Sequence, residues 1–224
     1  MRLLLISSSV VHGYGFLDHP EGAIREVLAG RKRVSFVPFA MADHEGYTEI
    51  VRQRLGAMGF DVAQVREAAD VAVAEALFVG GGNTFRLLKT LYERSLLEPM
   101  RERARAGIPY LGSSAGTNLA TPSIRTTNDM PIVYPPSFDA LGLVPFQINP
   151  HYLDPDPAST HQGETREMRI REFHEENTTP VVGLREGSML DVVDGAVTLL
   201  GDRPARIFRR GEEPVEAEPG RLEI

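Results

Sequence analysis

Ile108-Pro109-Tyr110-Leu111-Gly112-Ser113-Ser114-Ala115-Gly116-Thr117-Asn118-Leu119-Ala120 is the stretch on which the reading of this chain turns. Ile108 to Leu111 is a short apolar run that predicts a strand. It leads directly into Gly112-Ser113-Ser114-Ala115-Gly116, which fits GxSxG, and a helix start follows at Thr117 to Ala120. A strand that turns sharply into a helix at a serine is a nucleophile elbow. The flanking glycines permit a tight, strained turn that holds the Ser114 Oγ above the sheet, and the next backbone N–H, from Ala115, points toward a developing oxyanion. The same five residues also suit a plain small-residue turn, so the context has to decide.

Working outward, Leu3 to Ile6, Val34 to Phe39 and Ala76 to Val79 read as further buried strands. Between them, Ile50, Val51, Leu55 and Met58 recur at helical spacing, as do Phe85, Leu88, Leu91 and Leu97. Alternating strand and helix predicts an α/β fold with right-handed crossovers, a mostly parallel sheet and helices on both faces; ligands then sit at the carboxyl ends of the strands. No composition shift divides the 224 residues, so a single catalytic domain over residues 1–224 is expected. Thr121 to Pro136 reads as irregular structure or a short hairpin. Asp194-Gly195 predicts a tight hairpin turn between Met189–Val193 and Ala196–Leu200. The charged tail from Gly211 to Ile224 is expected to fray or pack loosely.

The net charge of −7 has the wrong sign for a protein that neutralises phosphates, so no nucleic-acid partner is expected. The absence of cysteine excludes disulfides, thiolate ligands and a Cys nucleophile, and suits a reducing, cytoplasmic setting. The apolar start stops at Ser7, too short for a signal-peptide core, and no run approaches membrane-spanning length.

Ala76 to Val79 runs into Gly80-Gly81-Gly82-Asn83-Thr84. Glycine N–H groups at a strand-to-helix junction approach an anion closely, so Gly82 is the candidate second oxyanion donor; a phosphate loop lacks the GxxxxGKS pattern. A serine hydroxyl needs a base, and His151, in Gln147-Ile148-Asn149-Pro150-His151, should emerge just past a strand end on the same rim as Ser114. No HExxH or compact ligand set suggests a metal, and no cofactor is required. The histidine needs an orienting carboxylate. Asp129, in the segment Arg125 to Pro131, and Glu186, after the apolar run Val181 to Leu184, are the two candidates.

Phe78 to Thr84, Gly112 to Gly116, Arg125 to Pro131, Gln147 to His151 and Gly163-Glu164-Thr165-Arg166 together resemble peptidase E, the α-aspartyl dipeptidase family S51. The resemblance fits the full length of the chain. It implies a class I glutamine-amidotransferase-like three-layer fold with Ser in place of the usual Cys, and hydrolysis of Asp-Xaa dipeptides. On it, Ser114 matches the nucleophile, His151 the base, and Gly82 and Ala115 the oxyanion donors. Glu186 matches the carboxylate of a Ser-His-Glu triad, while Asp129 matches a residue otherwise given to the charge relay. Arg166 matches the position that binds the aspartyl carboxylate, which a guanidinium can hold with two parallel hydrogen bonds. Without the resemblance, Arg166 would be read as part of a charged helix on which Glu167 and Arg171 pair. The expected partners are short peptides beginning with Asp, with the protein a monomer or homodimer. The competing readings are a cyanophycinase-like β-aspartyl peptidase, against which Arg125 to Pro131 argues, an acyltransferase using the same triad, and a non-catalytic small-ligand binder.

Overall fold

The computed structural model describes residues 1–155, 158, 160 and 163–224; the Pro-rich stretch 151–162 and His161 therefore lie partly or wholly outside the described residues. The chain runs β1 (Arg2–Ile6), α1 (Glu21–Val27), β2 (Arg33–Val37), α2 (His44–Ala57), β3 (Asp61–Gln64), α3 (Ala68–Ala72), β4 (Leu77–Val79), α4 (Thr84–Glu93), α5 (Leu97–Arg105), β5 (Tyr110–Ser113) and α6 (Ala115–Ala120). A 3-10 turn at Ile124–Thr126 precedes β6 (Gln147–Tyr152), α7 (Arg166–Glu176), β7 (Val181–Arg185), β8 (Met189–Val193), β9 (Ala196–Leu200), β10 (Ala205–Phe208), β11 (Val215–Ala217) and β12 (Gly220–Leu222).

Five strands, β1, β5, β4, β2 and β3, form the parallel half of an eight-stranded sheet, and β8, β9 and β12 extend it antiparallel beyond β1. The period-2 alternation of a strand sorts the side chains between two cores. Leu3, Leu5, Leu77, Val79 and Tyr110 face α4, α5 and α6, whereas Leu4, Ile6, Phe36, Phe78 and Leu111 face α1 and α2. Helices on both faces are what this doubly apolar pattern requires.

A second sheet, in the order β11-β10-β7-β6, was not anticipated from the sequence. Its Ile148, Val182, Leu184 and Ala205 join the larger core, while Tyr152, Val181 and Phe208 pack on Ile170 of α7. The apolar spacing from Phe85 to Leu97 breaks into α4 and α5 at Ser95, whose φ is 53°. Thr121 to Pro136 forms the 3-10 turn and otherwise irregular chain, with no named strand in it.

The tail corrects the expectation of a loose end. β11 pairs with β10 in the second sheet, β12 pairs with β9 in the main one, and Leu222 is buried. Ladder hydrogen bonds and one anchored side chain outweigh the acidic residues that made the segment read as solvated. The Asp194-Gly195 turn has positive φ at both residues, the conformation that a two-residue hairpin favours.

Candidate active site

The parallel strands all end on one edge of the main sheet, and that edge gathers the ends of β1, β4 and β5. At the end of β5, Ser114 takes φ 53° and ψ −108°, a conformation that costs a non-glycine residue energy and that surrounding structure must hold. The flanking glycines serve close packing; the strained dihedral belongs to Ser114 itself. A Cβ on Gly112 would lie 2.5 Å from the Gly116 carbonyl oxygen, and one on Gly116 would lie 2.1 Å from that of Val79. Ser114 N–H donates to the Ile6 carbonyl, Thr117 Oγ1 donates to the Ile6 and Gly112 carbonyls, and buried Tyr110 Oη donates to the Gly116 carbonyl. The turn is thereby held from three sides.

His151 arrives differently. It is not past a strand end, as the sequence suggested, but inside β6, at an irregularity where the register against β7 shifts between Pro150 and Tyr152. Its φ is also 53°, and the extra residue of the bulge re-aims its side chain out of the pleat. Nε2 lies 2.8 Å from Ser114 Oγ and Nδ1 lies 2.6 Å from Glu186 Oε1. With Nδ1 protonated and donating to Glu186, Nε2 is left to accept from the serine hydroxyl. Of the two carboxylates considered, the structure therefore puts Glu186 against His151.

Asp129 does other work. Its Oδ2 accepts from Thr84 N–H at 2.7 Å and Thr84 Oγ1 at 2.5 Å, at the first turn of α4, where a carboxylate is favoured by the free N–H groups. Asn83 Nδ2 donates to the Met130 carbonyl. The same irregular segment holds β6: Thr126 Oγ1 donates to the Ile148 carbonyl, Asn128 Nδ2 to that of Pro150, and Asn149 Nδ2 to that of Thr126. Arg125 to Pro131 is thus a brace between the glycine loop and the strand carrying His151.

The glycine loop curls over Ser114. Gly80 N–H donates to the Val37 carbonyl and Gly81 N–H to Tyr47 Oη. Among the described residues Gly82 N–H and Ala115 N–H have no partner, so both remain available to an oxyanion. Gly82, at φ 132°, could not carry a side chain, since its Cβ would meet the Ala40 carbonyl oxygen at 2.6 Å.

Two residues that the sequence reading passed over complete the framework. Ser7, fully buried at the end of β1, accepts His151 N–H at 2.9 Å and donates to the Leu184 carbonyl at 2.8 Å; its own N–H donates to the Ser188 carbonyl. It clips β6, which carries His151, and β7, which leads into Glu186, to the end of β1 in the main sheet. Tyr47, whose burial pushes its phenol up to about 12, stays protonated at neutral pH and fixes Gly81. Both sit at element ends in small-residue or amphipathic stretches, where only spatial proximity distinguishes them.

Arg166 is the first residue of α7, after the Thr165 cap. The Glu167–Arg171 pair forms as expected, but Arg166 takes no part in it and has no hydrogen bond or ion pair among the described residues. Half-burial, then Arg169, lower its pKa, while Asp129 raises it; a guanidinium remains charged under such shifts. Among the described residues, no group of three or more His, Asp or Glu is placed to hold a metal, and no helix is long and apolar enough to cross a membrane.

Residues 3–200 match the profile of peptidase family S51. A Streptomyces coelicolor protein named peptidase E is 57% identical over 224 residues, covering 98% of this chain and 92% of that one. A Drosophila melanogaster protein described as "Probable alpha-aspartyl dipeptidase" is 51% identical over 97% of this chain and 94% of its own. The crystal structure of a peptidase from an acI-B1 Actinobacterium shares the fold at a TM-score of 0.67 and 18% identity, over 98% of this chain and 95% of that one.

Proposed function

The chain belongs to peptidase family S51 and is a serine-type dipeptidase, and from that premise we propose that Ser114, His151 and Glu186 are its triad and that it removes N-terminal aspartate from dipeptides. The observation that carries this reading is the continuous chain of contacts from Ser114 Oγ through the His151 ring to Glu186, beside two N–H groups that have no partner among the described residues. Ser114 Oγ attacks the carbonyl carbon of the aspartyl residue as His151 Nε2 takes its proton. The oxyanion is held by Gly82 and Ala115 N–H, while Glu186 fixes the imidazole tautomer and stabilises the imidazolium. His151 then protonates the leaving amine, the C–N bond breaks, and water, deprotonated by His151, hydrolyses the ester to free aspartate and Ser114.

Arg166 supplies the charge for the aspartyl side chain. It is a half-buried cation with no carboxylate partner among the described residues, near enough to the site to feel Asp129. The cysteine-free composition supports a cytoplasmic setting.

Steady-state hydrolysis of Asp-Leu, Glu-Leu, Ala-Leu and a β-aspartyl dipeptide, by wild type and Ser114→Ala, tests the reading. Cleavage of Asp-Leu in preference to the others is expected, with at least about a 10⁴-fold loss of kcat in Ser114→Ala. A folded wild type that leaves Asp-Leu intact would sink the assignment, and a preference for the β-linked peptide would move it to the cyanophycinase-like class.

A further inference from the structure

A cavity of about 490 Å³ opens beside the catalytic contacts, lined by His151 and Glu186 but not by Ser114. Because His151 must hand its proton to the leaving amine, the leaving residue lies against the histidine, and this cavity, which Arg166 also lines, can take both residues of a dipeptide. In a dipeptide that residue ends in an α-carboxylate two bonds from the amine nitrogen; in any longer peptide the same position is a neutral amide.

Three guanidinium groups line the cavity: Arg166, Arg185 and Arg203. Arg185 has none of its five N–H donors to spare. Nε and Nη2 donate to Asp154 at 2.8 and 2.7 Å, Nη1 and Nη2 to Glu216 at 2.8 and 3.0 Å, and Nη1 also to the Pro204 carbonyl. Arg166 is the cation for the aspartyl side chain. Arg203 remains, exposed, with no side-chain hydrogen bond or ion pair among the described residues.

Its base is nevertheless fixed. Fully buried Ser188 donates its hydroxyl to the Arg203 carbonyl at 2.8 Å, and the contact of Arg185 with the Pro204 carbonyl holds the next residue. Those two anchors lie on either side of Glu186 in the chain, so Arg203 is held in register with the triad carboxylate while its side chain stays free. From these observations we infer that Arg203 binds the free α-carboxylate of the leaving residue and so selects dipeptides over longer peptides. The inference rests on the dipeptidase reading above and gives it a specificity-determining residue.

The test compares Asp-Leu with Asp-Leu-amide, which differ only in that carboxylate, for wild type and Arg203→Gln. Wild type is expected to favour Asp-Leu by about 10-fold in kcat/KM, mainly through KM, the lower end for a charge-assisted contact because Arg203 is solvated. Arg203→Gln should bring Asp-Leu down to the amide's level and leave the amide unchanged, with an unaltered Tm. Equal rates on both peptides by wild type, or an equal loss on both in the variant, would overturn the role of Arg203 while leaving aspartyl cleavage intact. Failure of wild type to release aspartate from either peptide would instead overturn the dipeptidase reading, and this inference with it.

Discussion

Ser114 and His151 share the same unusual φ, yet reach it by opposite means. Ser114 follows a central strand of the main sheet, where a Cβ on either flanking glycine would come within 2.1–2.5 Å of a backbone carbonyl oxygen. His151 stands in β6, an edge strand of the second sheet, where a bulge supplies the strain and side-chain hydrogen bonds supply the restraint. The proposed nucleophile is positioned by packing and the proposed base by polar contacts. A rigid core and a polar clasp therefore meet across 2.8 Å, and the clasp is the half that mutation can loosen without unfolding the chain.

The largest test of this contrast sets the two carboxylates against each other. Glu186→Gln is expected to lower kcat by about 10²- to 10⁴-fold, because an amide no longer stabilises the imidazolium; the half-exposed Glu186 side chain places the effect toward the smaller figure. Asp129→Asn should lower kcat far less, by about 10-fold, and lower Tm as well, since it weakens the α4 and glycine-loop brace. If the two variants exchanged these phenotypes, Asp129 rather than Glu186 would be the working partner of His151.

Ser7→Ala probes the clasp directly. It leaves the buried His151 N–H and Leu184 carbonyl without their shared partner, at a cost of about 1–3 kcal/mol in stability. A kcat loss of about 10-fold with little change in KM is expected, read from steady-state kinetics alongside thermal melts. A fall in Tm with unchanged kcat would show that the bulge holds its aim without Ser7.

The smallest effect concerns pH. His19 lies in a cleft beside Glu186, with both ring nitrogens buried and unpartnered among the described residues. Burial lowers its pKa below 6.5, against weaker raising effects from Asp18, Asp202 and Glu186. The unfolded chain then binds more protons than the folded one below about pH 6.5, so stability falls as pH drops through that window. His19→Gln should flatten this acid-side loss in denaturant melts between about pH 6.5 and 5. An unchanged slope would show that other groups dominate there.

The elbow was legible because its requirements are local. A glycine wherever a Cβ would strike the backbone, after an apolar strand and before a helix, leaves its mark in consecutive residues at Gly112 to Gly116, and the same holds for Gly80 to Gly82 and the Asp194-Gly195 turn. The second sheet was hidden because β10 and β11 are short and carry charged residues. Their pairing comes from partners distant in the chain.

For the same reason Asp129 and Glu186 stood level in the sequence. Each is a carboxylate in a connection, and composition carries no information on which one meets a ring that a bulge has turned. The sequence by itself determined the strand-helix alternation of the parallel half, the glycine turns, and Ser114 and His151 as the candidate nucleophile and base, because steric exclusion and period act between near neighbours. Only the tertiary structure decided that Glu186 takes the His151 ring, that Asp129 braces a helix, that Ser7 joins two sheets and that Arg185 is fully occupied while Arg203 has no partner among the described residues. Those are matters of hydrogen-bond partners from remote strands, and they exist only once the chain has closed.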